Sequence, residues 1–151
     1  MKNERTGSNP TLPNQLAAIE QHLGPLDYRD PNSLKLYESN PRKHPEKQIV
    51  KLMASISEFG FLVPPLVDED GTVIAGEARV LAARALSLPS IPVLPATHLS
   101  PRQVRAYRLA DNKLAELSHF DPEALALELV SIIDMEEIAI NALGWDTANW
   151  T

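Results

Sequence analysis

The clearest change of hydrophobic pattern along the chain lies between residues 73 and 86, which read VIAGEARVLAARAL. The apolar run Val73–Ala75 predicts a short buried strand. From Glu77 the apolar positions recur at helical spacing, and alanine, the strongest helix former, is frequent. Gly76 lies between the two patterns, where the chain must turn tightly or let another group approach its backbone. The pattern therefore predicts a strand, a glycine turn and a helix that ends near residue 88.

Apolar stripes and capping residues predict further helices. Residues 46–59 carry one stripe, and Gly60 follows at the position of a C-terminal cap. The members of this stripe are Ile49, Leu52, Met53, Ile56 and Phe59. Ser100 and Gln103 form a capping box, with Pro101 at the first helical position, for a helix that runs to about residue 114.

Short apolar segments between turn signals predict a small sheet. The strand candidates cover residues 26–29, 72–75 and 91–94, with a hairpin turn at residues 68–71. Residues 34–37 are a further short apolar segment, and residues 61–67, interrupted by Pro64-Pro65, predict an approach loop and a short strand. One more helix begins at Asp121-Pro122, and a last short helix covers residues 136–143. The predicted fold class is α+β, with a small mixed sheet, helices packed around it and a helical C-terminal extension.

The predicted organisation has three parts. Residues 1–25 form a flexible leader with a short helix, residues 26–118 form the folded domain, and residues 119–151 form an acidic helical extension. The extension holds seven acids and no Lys or Arg, whereas residues 1–118 carry a net charge of +1. The total of −6 argues against a broadly basic nucleic-acid binder, although a local basic face remains open. The candidates are the cluster of Arg42, Lys43, Lys47 and Lys51, and the broad helix face that Arg102, Arg105 and Arg108 share at positions i, i+3 and i+6. A solvated surface is the alternative.

Composition narrows the class of protein further. A chain of 151 residues with 44% apolar and 23% charged residues is ordinary for a globular protein with a real core. Cysteine is absent, which excludes disulfides and a cysteine nucleophile. Neither a membrane span nor a signal peptide is apparent, so a cytoplasmic or nucleoid-associated protein is expected.

The glycine turn is a candidate phosphate site. The N–H groups of Glu77, Ala78 and Arg79 at the helix start, together with the helix dipole, favour an anion beside Gly76. The Arg79 guanidinium also suits phosphate oxygens. An ordinary turn, with Arg79 lying over the sheet, is the alternative. Glu77 has three interpretations: a metal ligand, a general base, or an acid that complements the helix dipole.

Four short motifs occur in the order found in the ParB/sulfiredoxin superfamily. Residues 74–79 (IAGEAR), followed by two alanines, resemble its I-x-G-E-R-R…A-A box. The other three are Asn40-Pro41-Arg42 for N-P-R, residues 55–64 for S-I-x-x-x-G-x-x-x-P, and Asp111-Asn112 for E-N. The resemblance runs from about residue 26 to residue 117. It is greatest to ParB-like domains found near, or fused to, phage and bacterial DNA methyltransferases.

This resemblance implies a nucleotide site. Asn40 and Arg42 match a loop that closes over the nucleotide, and Pro64 ends the matched segment beside it. Asp111 and Asn112 match a pair that holds Mg²⁺ on a nucleoside triphosphate, CTP or ATP. A plain Asn-Pro turn beside a solvated basic face, and a polar last turn of a helix, are the alternatives.

The departures from partition ParB bear on activity. Ala78, Leu114 and Ala115 stand where those proteins have Arg, Gln and Arg, so hydrolysis is expected to be slow or absent. The leading hypothesis is a nucleotide-binding accessory domain in DNA transactions, with DNA or a DNA methyltransferase as partner. A small enzyme of the superfamily, either a nuclease or a nucleotide-dependent kinase, and an interaction module with a degenerate pocket are the alternatives. No membrane partner is expected, and the oligomeric state is open.

Overall fold

The structure, a computed structural model, describes residues 24–133 and 140–145. Its strands are β1 (Asp27–Arg29), β2 (Leu66–Val67), β3 (Val73–Ala75) and β4 (Ile91–Pro95). Its helices are α1 (Glu46–Phe59), α2 (Glu77–Ala85), α3 (Pro101–Glu116) and α4 (Pro122–Ile133), with 3₁₀ helices at Pro31–Ser33 and Ile140–Leu143. Residues 1–23 of the predicted leader, and residues 136–139 of the helix predicted over residues 136–143, lie outside the described ranges. Residues 140–143 of that predicted helix form the second 3₁₀ helix.

The four strands form one mixed sheet in the order β1-β4-β2-β3. β2 and β4 are parallel, whereas the β1–β4 and β2–β3 pairs are antiparallel. The predicted turn at residues 68–71 joins β2 to β3, and the Asp68 carboxylate accepts the N–H groups of Asp70 and Thr72, both at 2.9 Å. The predicted segment at residues 34–37 contributes a single bridge, between Lys35 and Thr72. The prediction of an α+β fold with a small mixed sheet and helices packed around it is confirmed.

The core lies between the sheet and α2. Val67, Val73 and Val93 from three strands pack with Val80 and Ala83 of α2, and each of these side chains is at most 2% exposed. Apolar burial of this kind is the main favourable contribution to folding. On the outer side α2 contacts α1, and α3 contacts β3. α2 therefore packs against the sheet on one side and against α1 on the other.

Helix termini follow the capping signals with two corrections. α1 has the predicted bounds, and Gly60 ends it at φ +89° with its N–H donating to the Ile56 carbonyl at 2.8 Å. Ser100 and Gln103 form the predicted capping box of α3, which extends to Glu116 rather than to residue 114. α2 ends at Ala85, earlier than predicted, because the chain leaves the helix through Ser87 at φ +55°.

The end of the described chain returns to α1. The second 3₁₀ helix packs on α1, and Ala142 within it is 5% exposed. Lys51 of α1 donates to the Gly144 carbonyl at 2.7 Å, and the rings of Trp145 and Phe120 meet edge to face at 5.4 Å. α4 has no buried residue. No helix within residues 24–133 or 140–145 combines the length and apolar character that crossing a membrane requires.

Candidate functional site

A cavity of about 260 Å³ lies where α2 begins. Three segments far apart in the sequence line it: the loop before α1, the junction of β3 with α2, and the C-terminal half of α3. Eight residues singled out from the sequence line this one cavity, namely Asn40, Arg42, Gly76, Glu77, Ala78, Arg79, Asp111 and Asn112. Pro64 is not among the lining residues. Local patterns and the resemblance therefore indicated residues that the fold brings together.

Gly76 is explained by backbone geometry and by a close neighbour. Its φ is +93°, in the left-handed region that L side chains rarely adopt. A Cβ at this position would lie 2.9 Å from the Cβ of Pro65, which is fully buried. Packing against Pro65 thus requires a glycine here, independently of any ligand.

The N-terminus of α2 has no side-chain cap. Arg79 donates its N–H to the Gly76 carbonyl at 3.1 Å, which is the first hydrogen bond of the helix. The N–H groups of Glu77 and Ala78 precede that bond and point to the helix start, as terminal amides do. Two backbone donors, rather than the three predicted, are therefore available to an anion at this end.

Asn40 connects the first segment to α2. This side chain is 9% exposed, and its Nδ2 donates to Glu77 Oε2 in a short hydrogen bond. Its Oδ1 accepts the N–H of Arg42 at 3.1 Å, so the amide is satisfied on both sides. The amide of Asn40 thus orients the Glu77 carboxylate at the cavity edge, and the three interpretations of Glu77 stay predictions.

Arg42 and Arg79 supply cations in two different ways. Nη1 of Arg42 lies 3.4 Å from Asn112 Oδ1 and 3.6 Å from Glu116 Oε1, which ties the loop to α3. Arg79 is half-buried at the cavity, and within the described part of the chain it has no hydrogen-bonding or ionic partner for its side chain. Its guanidinium is therefore free to meet an anion.

Oxygen donors face the same cavity from α3 and α2. Asp111, Asn112 and Glu77 all line it, and carboxylate and amide oxygens are the ligands that Mg²⁺ takes in proteins, usually together with phosphates and waters. Within the described residues no group of three or more His, Asp or Glu side chains could hold a metal, so this donor set suits only a magnesium ion that arrives on a phosphate ligand. Also on α3, the pKa of the Tyr107 hydroxyl is raised, first by burial and then by the negative charge of the Asp111 carboxylate.

Besides His44 and Gln48, which share a hydrogen bond at 2.9 Å, Arg108 lines the cavity without having been predicted as a site residue. Its spacing from Arg102 and Arg105 indicated a shared exposed face, but Arg108 is 5% exposed and lines the cavity. Burial lowers the pKa of its guanidinium, and the nearby Tyr37, Glu77 and Asp68 side chains oppose that shift. The sequence could have indicated this residue by its position, because Arg108 lies one helical turn before Asp111 and Asn112 and so shares their side of the helix.

The relatives of the chain identify its family. No family model matches the sequence. Over 76 residues the chain is 41% identical to the ParB-like nuclease domain-containing protein YnaK of Escherichia coli (strain K12). The aligned region covers 50% of this chain and 87% of that protein. The chain belongs to the ParB-like domain family. This ParB-like domain is also 33% identical over 73 residues to the uncharacterized protein ORF326b of Acidianus two-tailed virus, covering 48% of the chain and 22% of that protein.

A solved structure agrees with this assignment at the level of the fold. The C-terminally truncated chromosome-partitioning protein ParB from Caulobacter crescentus, complexed with CTP-gamma-S, superimposes with a TM-score of 0.66. The match covers 80% of this ParB-like domain and 69% of that chain, at 22% identity. The resemblance read from the four motifs is therefore confirmed for family and fold. The association with a DNA methyltransferase stays a prediction.

Proposed function

We propose that this ParB-like domain binds a nucleoside triphosphate with Mg²⁺ at the cavity and acts as an accessory domain in DNA transactions. One observation carries the proposal: the α2 N-terminus and the Arg79 guanidinium lie at the same cavity, and within residues 24–133 and 140–145 neither has a side-chain partner. Backbone donors, the helix dipole and a guanidinium fork together suit a phosphate group.

Each segment of the cavity has a part in this proposal. The N–H groups of Glu77 and Ala78, with Arg79, hold phosphate oxygens. Asp111 and Asn112 hold Mg²⁺, which would neutralise the charge of the phosphates. The loop of Asn40 and Arg42 closes the site. CTP is the first nucleotide to test, because the Caulobacter ParB of similar fold is complexed with CTP-gamma-S.

Binding is tested by titration calorimetry with CTP, ATP and GTP in the presence of Mg²⁺. Arg79→Ala should weaken the best ligand by roughly tenfold to a hundredfold, since a charge-assisted hydrogen bond contributes about 1.5–3 kcal/mol. The matched control is Arg102→Ala, which removes an exposed arginine that does not line the cavity and should leave affinity unchanged. A wild-type chain that binds no nucleotide at millimolar concentration would favour the interaction module instead.

Hydrolysis is expected to be slow or absent. Ala115 lines the cavity and Leu114 is 65% exposed, so neither position supplies a polar group to orient an attacking water. A phosphate-release assay should therefore detect no multiple turnover with the bound nucleotide. Sustained turnover that Glu77→Gln abolishes would contradict this prediction and support the enzyme hypothesis.

A further inference from the structure

Arg108 has an environment unlike that of the other arginines near the site. Its guanidinium carbon lies 3.8 Å from the centroid of the Tyr37 ring, and Nη2 donates to the Val73 carbonyl at 3.0 Å. Only 5% of the residue is exposed. Burial of a guanidinium is costly unless its donors and its charge are compensated. The hydrogen bond to Val73 and the cation–π contact with Tyr37 supply that compensation.

The partners of Arg108 belong to the segments that form the cavity. Tyr37 accepts the N–H of Asn40 through its carbonyl at 3.1 Å, and so fixes the loop that carries Asn40. Val73 opens β3, the strand that leads directly into Gly76. Arg108 itself lies on α3, one turn before Asp111. A single side chain thus joins the three segments whose relative placement defines the site.

The charge of Arg108 is not neutralised by direct pairing. Among the described residues no carboxylate forms an ion pair with it. A guanidinium stays protonated even when burial lowers its pKa. Because solvent screens buried charges little, this positive charge acts on the cavity that the side chain lines.

We propose that Arg108 is the positioning residue of the site: it holds the loop of Asn40 and the Gly76 turn in register with Asp111, and its buried charge favours an anion in the cavity. The electrostatic part rests on the proposed function. The geometric part does not, since it concerns contacts within the chain alone.

Amide hydrogen exchange by NMR tests the geometric part. The reporters are the N–H groups of Asn40, Arg79 and Val80, which donate to carbonyls within the two joined segments. The variants are Arg108→Lys, which keeps the charge but loses the planar fork, and Tyr37→Leu, which removes the ring. Each should speed exchange at the reporters about tenfold, as expected when a charge-assisted hydrogen bond or a cation–π contact is lost.

Internal and matched controls separate positioning from general destabilisation. The Gly60 N–H, which donates to Ile56 at the end of α1, should keep its exchange rate in every variant. Tyr37→Phe keeps the ring and should behave as the wild type. Equal acceleration at Gly60 and at the three reporters, or no acceleration anywhere, would overturn the positioning role.

Nucleotide affinity tests the electrostatic part. With MgCTP, and with tripolyphosphate as a probe that lacks the base, affinity should fall in the order wild type, Arg108→Lys, Arg108→Met, because only the methionine removes the charge. Circular dichroism verifies that each variant is folded, and Tyr37→Leu, which leaves the charge in place, should weaken binding less than Arg108→Met. Equal affinity of the lysine and methionine variants would overturn the electrostatic role. A wild type that binds neither probe refutes the proposed function, while the exchange experiment still decides the positioning role.

Discussion

Two glycines with positive φ show how a residue's surroundings decide its importance. Gly60 has φ +89° and ψ 175°, a region open almost only to glycine, whereas Gly76 has φ +93° and ψ 23°, in the left-handed helical region. Alanine is therefore strained at either position, by roughly 1–2 kcal/mol at Gly76 and by at least as much at Gly60. A Cβ at Gly60 would meet nothing within 4 Å, whereas at Gly76 it would meet Pro65 at 2.9 Å. Overpacking of a buried contact adds about 1–3 kcal/mol.

We therefore expect Gly76→Ala to lower the free energy of unfolding clearly more than Gly60→Ala does. Urea denaturation of the two variants and the wild type measures the difference, and a greater loss at Gly76 is due to the contact with Pro65 because the backbone strain at Gly60 is no smaller. A loss at Gly76 of only about 1–2 kcal/mol, the backbone strain alone, would show that Pro65 yields to the added methyl group. In that case a ligand's approach, rather than packing, would be the better reason for glycine at residue 76.

The sequence identified Gly76 as special but not the reason for it. The pattern of strand, glycine and helix marks the turn, yet Pro65 comes from a different part of the chain and its approach depends on how β2 pairs with β3. For Arg108, in contrast, the sequence pattern indicated an exposed side chain, whereas the residue is buried. Positions i, i+3 and i+6 span roughly 120° of a helix, so Arg102 and Arg108 point in well-separated directions, one to solvent and one to the core.

At the scale of elements, the sequence predicted the helix boundaries that depend on residues close together in the chain. α1 and the start of α3 follow from an apolar stripe and a capping box, which act within a few residues. β2 contains two residues, and its parallel pairing with β4 depends on contacts that no local pattern encodes. The end of α2 was also misplaced, because Ser87 adopts a left-handed conformation that its residue type does not favour.

The capping box of α3 gives a prediction at this scale. Ser100 Oγ accepts the N–H of Gln103 at 3.2 Å, and Gln103 Oε1 accepts the N–H of Ser100 at 2.9 Å. Ser100→Ala should destabilise the chain by about 1 kcal/mol, the usual effect of removing an N-cap hydroxyl. Loss of the cap should also speed hydrogen exchange of the first-turn amides, since the Gln103 N–H then loses its acceptor. The effect would reach the start of the helix that carries Arg108 and Asp111.

Thermal denaturation provides the measurement, with Ser57→Ala as the matched control. The Ser57 hydroxyl donates to the Met53 carbonyl inside α1, a contact that contributes little to helix stability, so this substitution should be close to neutral. A Ser100→Ala variant as stable as the control would mean that water replaces the cap without loss.

At the scale of the whole molecule, the acidic extension is connected to the domain. Ala142 is buried against the rest of the protein, and Gly144 accepts a hydrogen bond from Lys51. Removing residues 119–151 would therefore expose part of α1 as well as remove seven acids. A test of the charge of the extension needs substitutions rather than truncation, and the exposed Glu123 and Glu128 of α4 are suitable positions.

The arrangement of cations in the described part of the chain predicts weak binding to duplex DNA. Non-specific affinity comes mainly from Lys and Arg that neutralise phosphates, and it falls steeply with salt. Arg108 is buried, Arg42 is engaged with Asn112 and Glu116, and Lys51 bonds to Gly144, so the basic residues that the sequence offered are only partly available. Arg102 and Arg105 remain exposed on α3.

We accordingly expect weak or undetectable binding of the chain to a duplex at physiological salt, measured by fluorescence anisotropy at two salt concentrations. Glu123→Gln with Glu128→Gln should strengthen whatever binding exists at low salt, because the two substitutions reduce the net negative charge that repels phosphates. Arg102→Ala with Arg105→Ala should weaken it and flatten the salt dependence. Tight binding by the wild type that resists salt would require contacts beyond phosphate neutralisation, and it would favour a DNA-acting enzyme or a sequence-specific binder over an accessory nucleotide-binding domain.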